Sequence, residues 1–352
     1  MLSPSQNTRP ELSLVTLAIA SYNNGKYIER CLESVINQSY KYLEILIIDD
    51  GSNDESLSII EKYKTDNRVR VISKENGGLS SVRQMALDEA SGRYISFIDA
   101  DDVLDLKYVE QMATALERTD ADICVCSTEM LYEDDTVIEE SAFKYKDSET
   151  PLKLTNSLLS DVSSHLDVYY TLTDSWNKMY RMDFLRQTGV DFNIPKGLNG
   201  TDMLFNYKLA LYEPSYVTLS GLFYKHYIYK KSVAHRKKKD LFSSYEIIIS
   251  QLFAISNMRG CEEITNNMIA NLYLVCLREA YDDLYTEEGG ATRRNSLNVL
   301  HNRHIQFIDK NPVLKQKRKE YSSRSLKLFD YALVTRLTTY LYIGLRAKLK
   351  NK

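Results

Sequence analysis

The 352-residue chain has few cysteines and no pattern that would pair them. Cys31, Cys124, Cys126, Cys261 and Cys276 include no C-x-x-C pair, and an odd total argues against the disulfide framework of a secreted domain. A reducing, cytoplasmic setting is expected. Also lacking is any uninterrupted apolar run of about 18 residues, so no membrane-spanning helix is expected. The first residues show no basic region followed by an apolar stretch and a small-residue cleavage site, so no signal peptide is expected. Internal repeats and low-complexity tracts are absent. What is present, 43% hydrophobic residues, supplies an ordinary core for one large domain with an appendage or for two domains. The formal charge of −3 hides an asymmetry. From His301 onward 13 Lys or Arg face 3 Asp or Glu, a balance of +10 that leaves −13 on the first 300 residues.

Along the first 130 residues strand and helix patterns alternate. Residues 13–20, "SLVTLAIA", read as a buried strand, and 25–38 place Ile28, Cys31, Leu32, Val35 and Ile36 at helical spacing. The alternation continues with strand 43–48, a helix from Ser56 to Lys64, strand 69–73, a helix from Leu79 to Ala90, strand 93–98, a helix near 105–118 and strand 121–127. It predicts an α/β fold whose mostly parallel sheet is covered by helices on both faces. After residue 130 the pattern weakens, and "DSWNKMYRMDFLRQTGVDF" and "GTDMLFNYKLALY" read as loops and short helices capping the sheet. Long helical patterns dominate from Asp240. The expected division is a domain over 1–235 and a helical appendage over 236–352.

Parallel sheets bind ligands beyond the carboxyl ends of their strands. Strand 13–20 ends in "ASYNN", strand 43–48 in "DDGSND", strand 69–73 leads to "KENGGLSSVR", and strand 93–98 ends in "DADD". Each cluster alone is an ordinary turn. All four fall on one edge of the predicted sheet. Asp99, Asp101 and Asp102 repel one another unless a cation or another partner intervenes, which makes the acidic turn a candidate metal and phosphate site.

These segments, with "CLESVINQSYKYLEILIIDDGSNDES", "NGGLSSVRQMALDEASGRYISFIDADD", "WNKMYR" and "GTDMLF", resemble the family 2 inverting glycosyltransferases of GT-A fold. The resemblance runs over roughly residues 12–125, is thinner from 174 to 235 and does not reach the tail. It implies a UDP-hexose donor, an acceptor hydroxyl on a glycan, glycolipid or glycoprotein, and Mn²⁺ or Mg²⁺ as cofactor. By the same resemblance Asp101 holds the metal, Asp99 faces the ribose or the metal shell, and Ala100 lies between them. Asp50 accepts the uracil N–H, Ala20, Ser21, Tyr22 and Asn23 line base and ribose, and Asn76 and Gly77 bring backbone close to the ligand. Arg83 approaches the nucleotide or diphosphate. Asp202 stands where the family carries its catalytic base, with Thr201 in place of the glutamate usual before it.

Two residues stay open on chemistry alone. His226 is a nitrogen ligand to the metal beside Asp101 and Asp99, or a hydrogen-bonded core histidine. Trp176 stacks on an acceptor sugar or belongs to the core. Two other functions compete. "DADDV" also fits the signature of an aspartyl-nucleophile phosphohydrolase acting through Asp99, and a non-catalytic nucleotide-sugar-binding partner of another transferase would keep the same loops. The basic tail from Phe329 carries Leu333, Leu337, Tyr340, Leu341 and Leu345 on one helical face. It reads as a helix packed on the appendage or lying on an anionic membrane at the inner face of the cell membrane. Self-association is a further candidate, and nucleic acid is not an expected partner.

Overall fold

In the computed structural model, residues 12–138, 145–153, 172–229 and 241–259 are described, together with isolated helical positions between 266 and 315. The tail beyond 315, with its membrane expectation, lies outside the described residues. The chain divides into two compact units, Met1–Leu158 with His165–Arg236, and Leu159–Ser164 with Lys237–Lys352.

The first unit opens with the predicted alternation: β1 (Val15–Ser21), α1 (Ile28–Ile36), β2 (Leu43–Asp49), α2 (Ser56–Lys62), β3 (Val69–Ser73), α3 (Leu79–Glu89) and β4 (Tyr94–Asp99). The order β3-β2-β1-β4 is parallel throughout, so the carboxyl ends of these strands share one edge. Val15, Leu17, Ile19, Leu43, Ile45 and Ile47 alternate onto one face and pack with Ile28, Cys31, Leu32 and Val35 of α1 in the main core. Each of these side chains contributes roughly 1.5–3 kcal/mol relative to exposure. The opposite face carries Phe97, which meets Phe192 edge-on at 5.4 Å and Tyr180 at 5.9 Å.

Beyond β4 the sheet turns mixed. After β5 (Val103–Leu104) and α4 (Tyr108–Thr119) come β6 (Ile123–Tyr132), β7 (Leu152–Lys153), β8 (Lys178–Arg181), α5 (Met182–Thr188), α6 (Thr201–Ala210) and β9 (Ser215–Ile228). The full order is β3-β2-β1-β4-β8-β6-β9-β5, with β7 on β9. One expectation needs correction. "NKMYR" supplies β8, an interior strand antiparallel to both β4 and β6. Residues 215–228, for which the sequence pattern carries no expectation, form a 14-residue strand. Its register against β6 jumps from Cys126↔Leu219 to Ser127↔Leu222 and Thr128↔Tyr224. Such an irregularity bends a strand, and the second half of β9 goes on to pair Lys225 and Tyr224 with Val103 and Leu104 of β5. That pairing delivers Tyr224 and His226 to the acidic turn.

In the second unit, α7 (Leu241–Arg259) buries Leu241, Phe242, Tyr245, Ile248, Ile249 and Leu252 at helical spacing. Arg303 donates to Ser243 Oγ at 2.7 Å and pairs with Glu246. No helix among the described residues is long and apolar enough to cross a membrane. Among the described residues, Cys31, Cys124, Cys126 and Cys276 are buried and not joined in disulfides.

Candidate functional site

The first two loops are built on each other. Asn23 adopts a left-handed φ of 53°. Its N–H donates to Ser52 Oγ at 2.9 Å, while its side-chain oxygen accepts from Asn53 N–H at 2.9 Å. Ala20 and Ser21 close β1 opposite Ile48 and Asp49. Ser21 Oγ and Asp49 Oδ1 are buried and have no hydrogen-bond partner among the described residues. Tyr22, just beyond the end of β1, is 48% exposed.

Asp50 is almost fully buried and organises the third loop. Its Oδ1 accepts from Lys74 Nζ at 2.7 Å and Gly77 N–H at 2.9 Å, and its Oδ2 accepts from Gly78 N–H at 2.7 Å. The two glycine amides lead into α3, so the carboxylate also meets the positive end of that helix. Gly77 is required here, because a Cβ would lie 2.5 Å from Ser81 Oγ and 2.7 Å from Lys74 Nζ. Asn76 presents its carbonyl to Lys196 Nζ at 2.6 Å.

Arg83 differs from its expectation. It lies on α3 with a side chain 2% exposed, donating to Asp99 Oδ1 at 3.1 Å and pairing with Asp202 Oδ1 through its other terminal nitrogen. The guanidinium therefore joins the end of β4 to the first turn of α6 instead of standing open to a diphosphate. Asp202 also accepts from Ser175 N–H at 3.2 Å. The loop carrying Ser175 is fixed from beneath, since Asp174 O accepts from Asn206 Nδ2 at 2.9 Å and from the buried Lys178. Burial holds the Lys178 ammonium down to about 8.

Asp99, Ala100, Asp101 and Asp102 form the turn after β4. Asp102 is fully buried and accepts from Tyr224 OH at 2.8 Å, His226 Nδ1 at 3.0 Å and Tyr227 N–H at 2.9 Å. Burial lowers the affinity of His226 for its proton, but Asp102, Asp99 and Asp101 outweigh that and push its pKa up to about 9. The imidazole stacks on Trp176 at 4.8 Å with 5° between planes. Trp176 is 6% exposed and also meets Tyr224 at 4.9 Å, so the core reading holds for it. Burial pushes Asp99 up against the pull of Arg83. Asp101, pressed by burial and by the charges of Asp102 and Asp99, is pushed up to about 7. Its carbonyl is tied down from another direction, accepting from Tyr229 OH at 3.0 Å, and Tyr229 OH in turn accepts from Arg30 at 2.6 Å.

Among the described residues no three His, Cys, Asp or Glu side chains surround one point as a ready metal cage. Asp99, Asp101 and His226 are accordingly not one preformed ligand set: Asp99 faces Arg83, and His226 has Nδ1 committed to Asp102. The donor chemistry still fits a hard cation at Asp101, whose carboxyl carries a repulsion that such a charge would offset. With so few protein oxygens, the cation would complete its shell with phosphate oxygens, as Mg²⁺ and its relatives do. Sequence reasoning missed Lys74, Arg30, Tyr224, Tyr229 and the structural role of Asp102. The aromatic-rich stretch over 216–229, with Tyr216, Phe223, Tyr224, Tyr227 and Tyr229, was the available signal for the two tyrosines.

The chain matches glycosyl transferase family 2 over residues 16–171. It is 34% identical over 237 residues to EpsH of Bacillus subtilis, a candidate glycosyltransferase, spanning 66% of each chain, and it covers 31%, 38% and 36% of three other relatives, GlyA and GlyG of Streptococcus pneumoniae and the hyaluronan synthase of Pasteurella multocida. Among solved structures, S. aureus TarS 1–349 in complex with UDP-GlcNAc superposes with a TM-score of 0.55 at 19% identity, over 88% of this chain and 93% of that one. The mannosyltransferase PcManGT of Pyrobaculum calidifontis, in complex with GDP-Man and Mn²⁺, gives 0.51 at 15% identity over 87% and 84%. Both superpositions speak to fold. With the ordered motifs on one sheet edge and the mixed sheet behind them, these matches establish that the chain belongs to glycosyl transferase family 2 and has the GT-A fold.

Proposed function

We propose that the protein is a metal-dependent inverting glycosyltransferase that moves a hexose from a UDP-sugar to a hydroxyl of a glycan, glycolipid or glycoprotein, with Asp202 as general base. One observation carries the reading: the buried Arg83 holds Asp99 and Asp202 on the two nitrogens of a single guanidinium. A donor-side carboxylate from the strand-end turn and a carboxylate from a helix more than 100 residues later therefore share one small site. Inversion needs this pairing of functions. The acceptor oxygen attacks the anomeric carbon as its proton passes to Asp202, and the bond to the diphosphate oxygen breaks with its electron pair on the nucleotide.

Ser175 N–H and Arg83 fix the Asp202 carboxylate in position, which keeps its geometry set before substrate arrives. A divalent cation bound at Asp101 would supply the charge that stabilises the departing diphosphate. Support for a nucleotide-sugar donor comes from the neighbours solved with UDP-GlcNAc and with GDP-Man and Mn²⁺. Family membership and the pairing of Asp99 with a buried arginine weigh against an aspartyl-nucleophile phosphohydrolase, whose nucleophile must be open to attack. The test is Asp202→Asn, which keeps shape and hydrogen bonding but not the base. Donor binding by calorimetry should be retained while transfer, followed by mass spectrometry of the glycosylated acceptor, falls about 10²-fold or more. Near-normal turnover would move the base to another carboxylate. Wild-type product whose anomeric configuration matches the donor would remove the inverting mechanism.

A further inference from the structure

The two carboxylate oxygens of Asp202 are held by different donors. Oδ1 takes the Arg83 guanidinium and, at 3.4 Å, Thr201 Oγ1, while Oδ2 takes Ser175 N–H at 3.2 Å. A carboxylate has about four acceptor positions. The described contacts leave one, on Oδ2, and the direction of Ser175 N–H decides where it points. That N–H belongs to the peptide group joining Asp174 to Ser175, whose carbonyl oxygen accepts from Asn206 Nδ2 at 2.9 Å and from Lys178 Nζ. The peptide is therefore gripped at both poles. Asn206 follows Asp202 by one turn of α6, so one helix face accepts from the N–H end and donates to the carbonyl end. Lys178 adds a positive charge behind the carbonyl. It is 1% exposed on an interior strand, and its Nζ meets two neutral oxygens, Asp174 O and Asn177 Oδ1, the latter at 2.8 Å. An ammonium in such a place costs stability that a methionine of similar length would not. Burial holds it down to about 8, which leaves it charged at neutral pH.

We infer that Lys178 is a positioning residue of the transfer reaction, acting on the general base through the single peptide group between Asp174 and Ser175. The inference rests on the Asp202 reading above. A peptide group carries a dipole of about 3.5 D. With the ammonium at its oxygen and the Asp202 carboxylate at its hydrogen, both charges favour one orientation, and each strengthens the hydrogen bond the other makes. A flipped peptide would set N–H against the ammonium and C=O against the carboxylate. Buried as it is, Lys178 touches no substrate. The ammonium fixes the peptide, the peptide N–H fixes Oδ2, and Oδ2 is left with one direction from which to receive the acceptor proton. The loops at the ends of β1, β2 and β3 take no part in this chain of contacts, so binding of the nucleotide is independent of it.

A double-mutant cycle on the full chain tests this: wild type, Lys178→Met, Asp202→Asn and the double variant. Turnover is followed as UDP released from UDP-glucose, UDP-galactose or UDP-GlcNAc in Mn²⁺, with water as the acceptor, and UDP affinity is measured by calorimetry. Lys178→Met should lower kcat about tenfold to 10²-fold, as a displacement of about 1 Å in a reacting group does, and leave UDP affinity within about twofold of wild type. In the Asp202→Asn background the same substitution should change kcat by less than about twofold, because the group it positions has gone. Lys178→Gln, which keeps an N–H for Asp174 O, should recover part of the loss, and it takes the place of the methionine variant in the cycle if that variant does not fold. An equal fold-loss in both backgrounds shows a role that bypasses the base and overturns the inference. Wild-type kcat in a folded Lys178 variant, or a loss confined to UDP affinity, overturns it too. Near-normal turnover by Asp202→Asn alone, or a wild type that turns over none of the three donors, overturns the reading on which the inference rests and the inference with it.

Discussion

The two halves of the sheet satisfy their polar groups in different ways. In the parallel half, β3-β2-β1-β4, the loops are closed by partners 24 to 32 residues apart, such as Asp50 with Lys74, Gly77 and Gly78, Asn23 with Ser52, and Asn24 with Ser56. In the mixed half, closure spans the chain: Asp102 reaches His226 and Tyr224 at separations of 124 and 122, and Asp202 reaches Arg83 at 119. The first half can assemble from local βα units. The second must wait for β9, whose bent course brings the partners of the acidic turn. The turn after β4 is the seam, and its carboxylates belong to both halves.

The largest expected effect comes from removing the charge that the seam leaves for a ligand. Asp101→Ala should abolish metal-dependent UDP binding and lower transfer by about 10³-fold, because a developing negative charge loses its counter-charge in a partly buried site. Calorimetry with and without Mn²⁺ separates the effects. Cation binding must displace the Asp101 proton, so in the wild type Mn²⁺ affinity should rise with pH up to about 7 and level off above it. The alanine variant should lose that slope. If Asp101→Ala keeps wild-type UDP affinity in Mn²⁺, the seam does not hold the metal and the two halves differ in architecture only.

Arg83→Met comes next. It is a seam residue on a helix of the early half, and its loss leaves Asp99 and Asp202 facing each other in partial burial without a cation between them. Breaking such a pair by removing one partner costs about 3–5 kcal/mol. Urea unfolding should show that loss with an unchanged m value. A loss under 1 kcal/mol would mean that water already screens the pair.

The same contrast explains what the sequence disclosed. Val15 to Ser21 and Leu43 to Asp49 are short, nearly continuous apolar runs each followed by a helical pattern, which marks them as buried strands. Asp50 could be placed at a strand end from its neighbours in the chain. β8 could not be found this way: it is four residues long, and Lys178, a residue that strand patterns place outside, is 1% exposed within it. Its ammonium is met by Asp174 O and Asn177 Oδ1, partners no local pattern announces. β9 was hidden by its irregular register around Gly221, which breaks the alternation of inward and outward residues. Arg83 was legible as a site residue but not as a bridge, since its second partner lies more than 100 residues away.

The smallest effect is expected at Asp102, where geometry outlasts charge. Asp102→Asn keeps the side-chain shape and one acceptor oxygen for Tyr227 N–H or Tyr224 OH, but it removes the negative charge that His226 faces at 3.0 Å. Loss of a hydrogen bond to a charged group should lower stability by about 1.5–3 kcal/mol at pH 6. The pH dependence identifies the cause. His226 is raised in the folded chain to about 9 from its usual 6.5, so its contribution is fully present below about 6.5 and is lost as pH rises through 9. Without the Asp102 charge the folded value moves back towards 6.5, and that part of the slope disappears. Thermal midpoints of wild type and variant should therefore differ most near pH 6 and converge towards pH 9.5. Taking the difference cancels groups common to both proteins, including Lys178, whose lowered value acts in the opposite direction. A constant gap from pH 6 to 9.5 would show that Asp102 holds the seam through Tyr224 and the Tyr227 amide alone, making the histidine a passenger on β9.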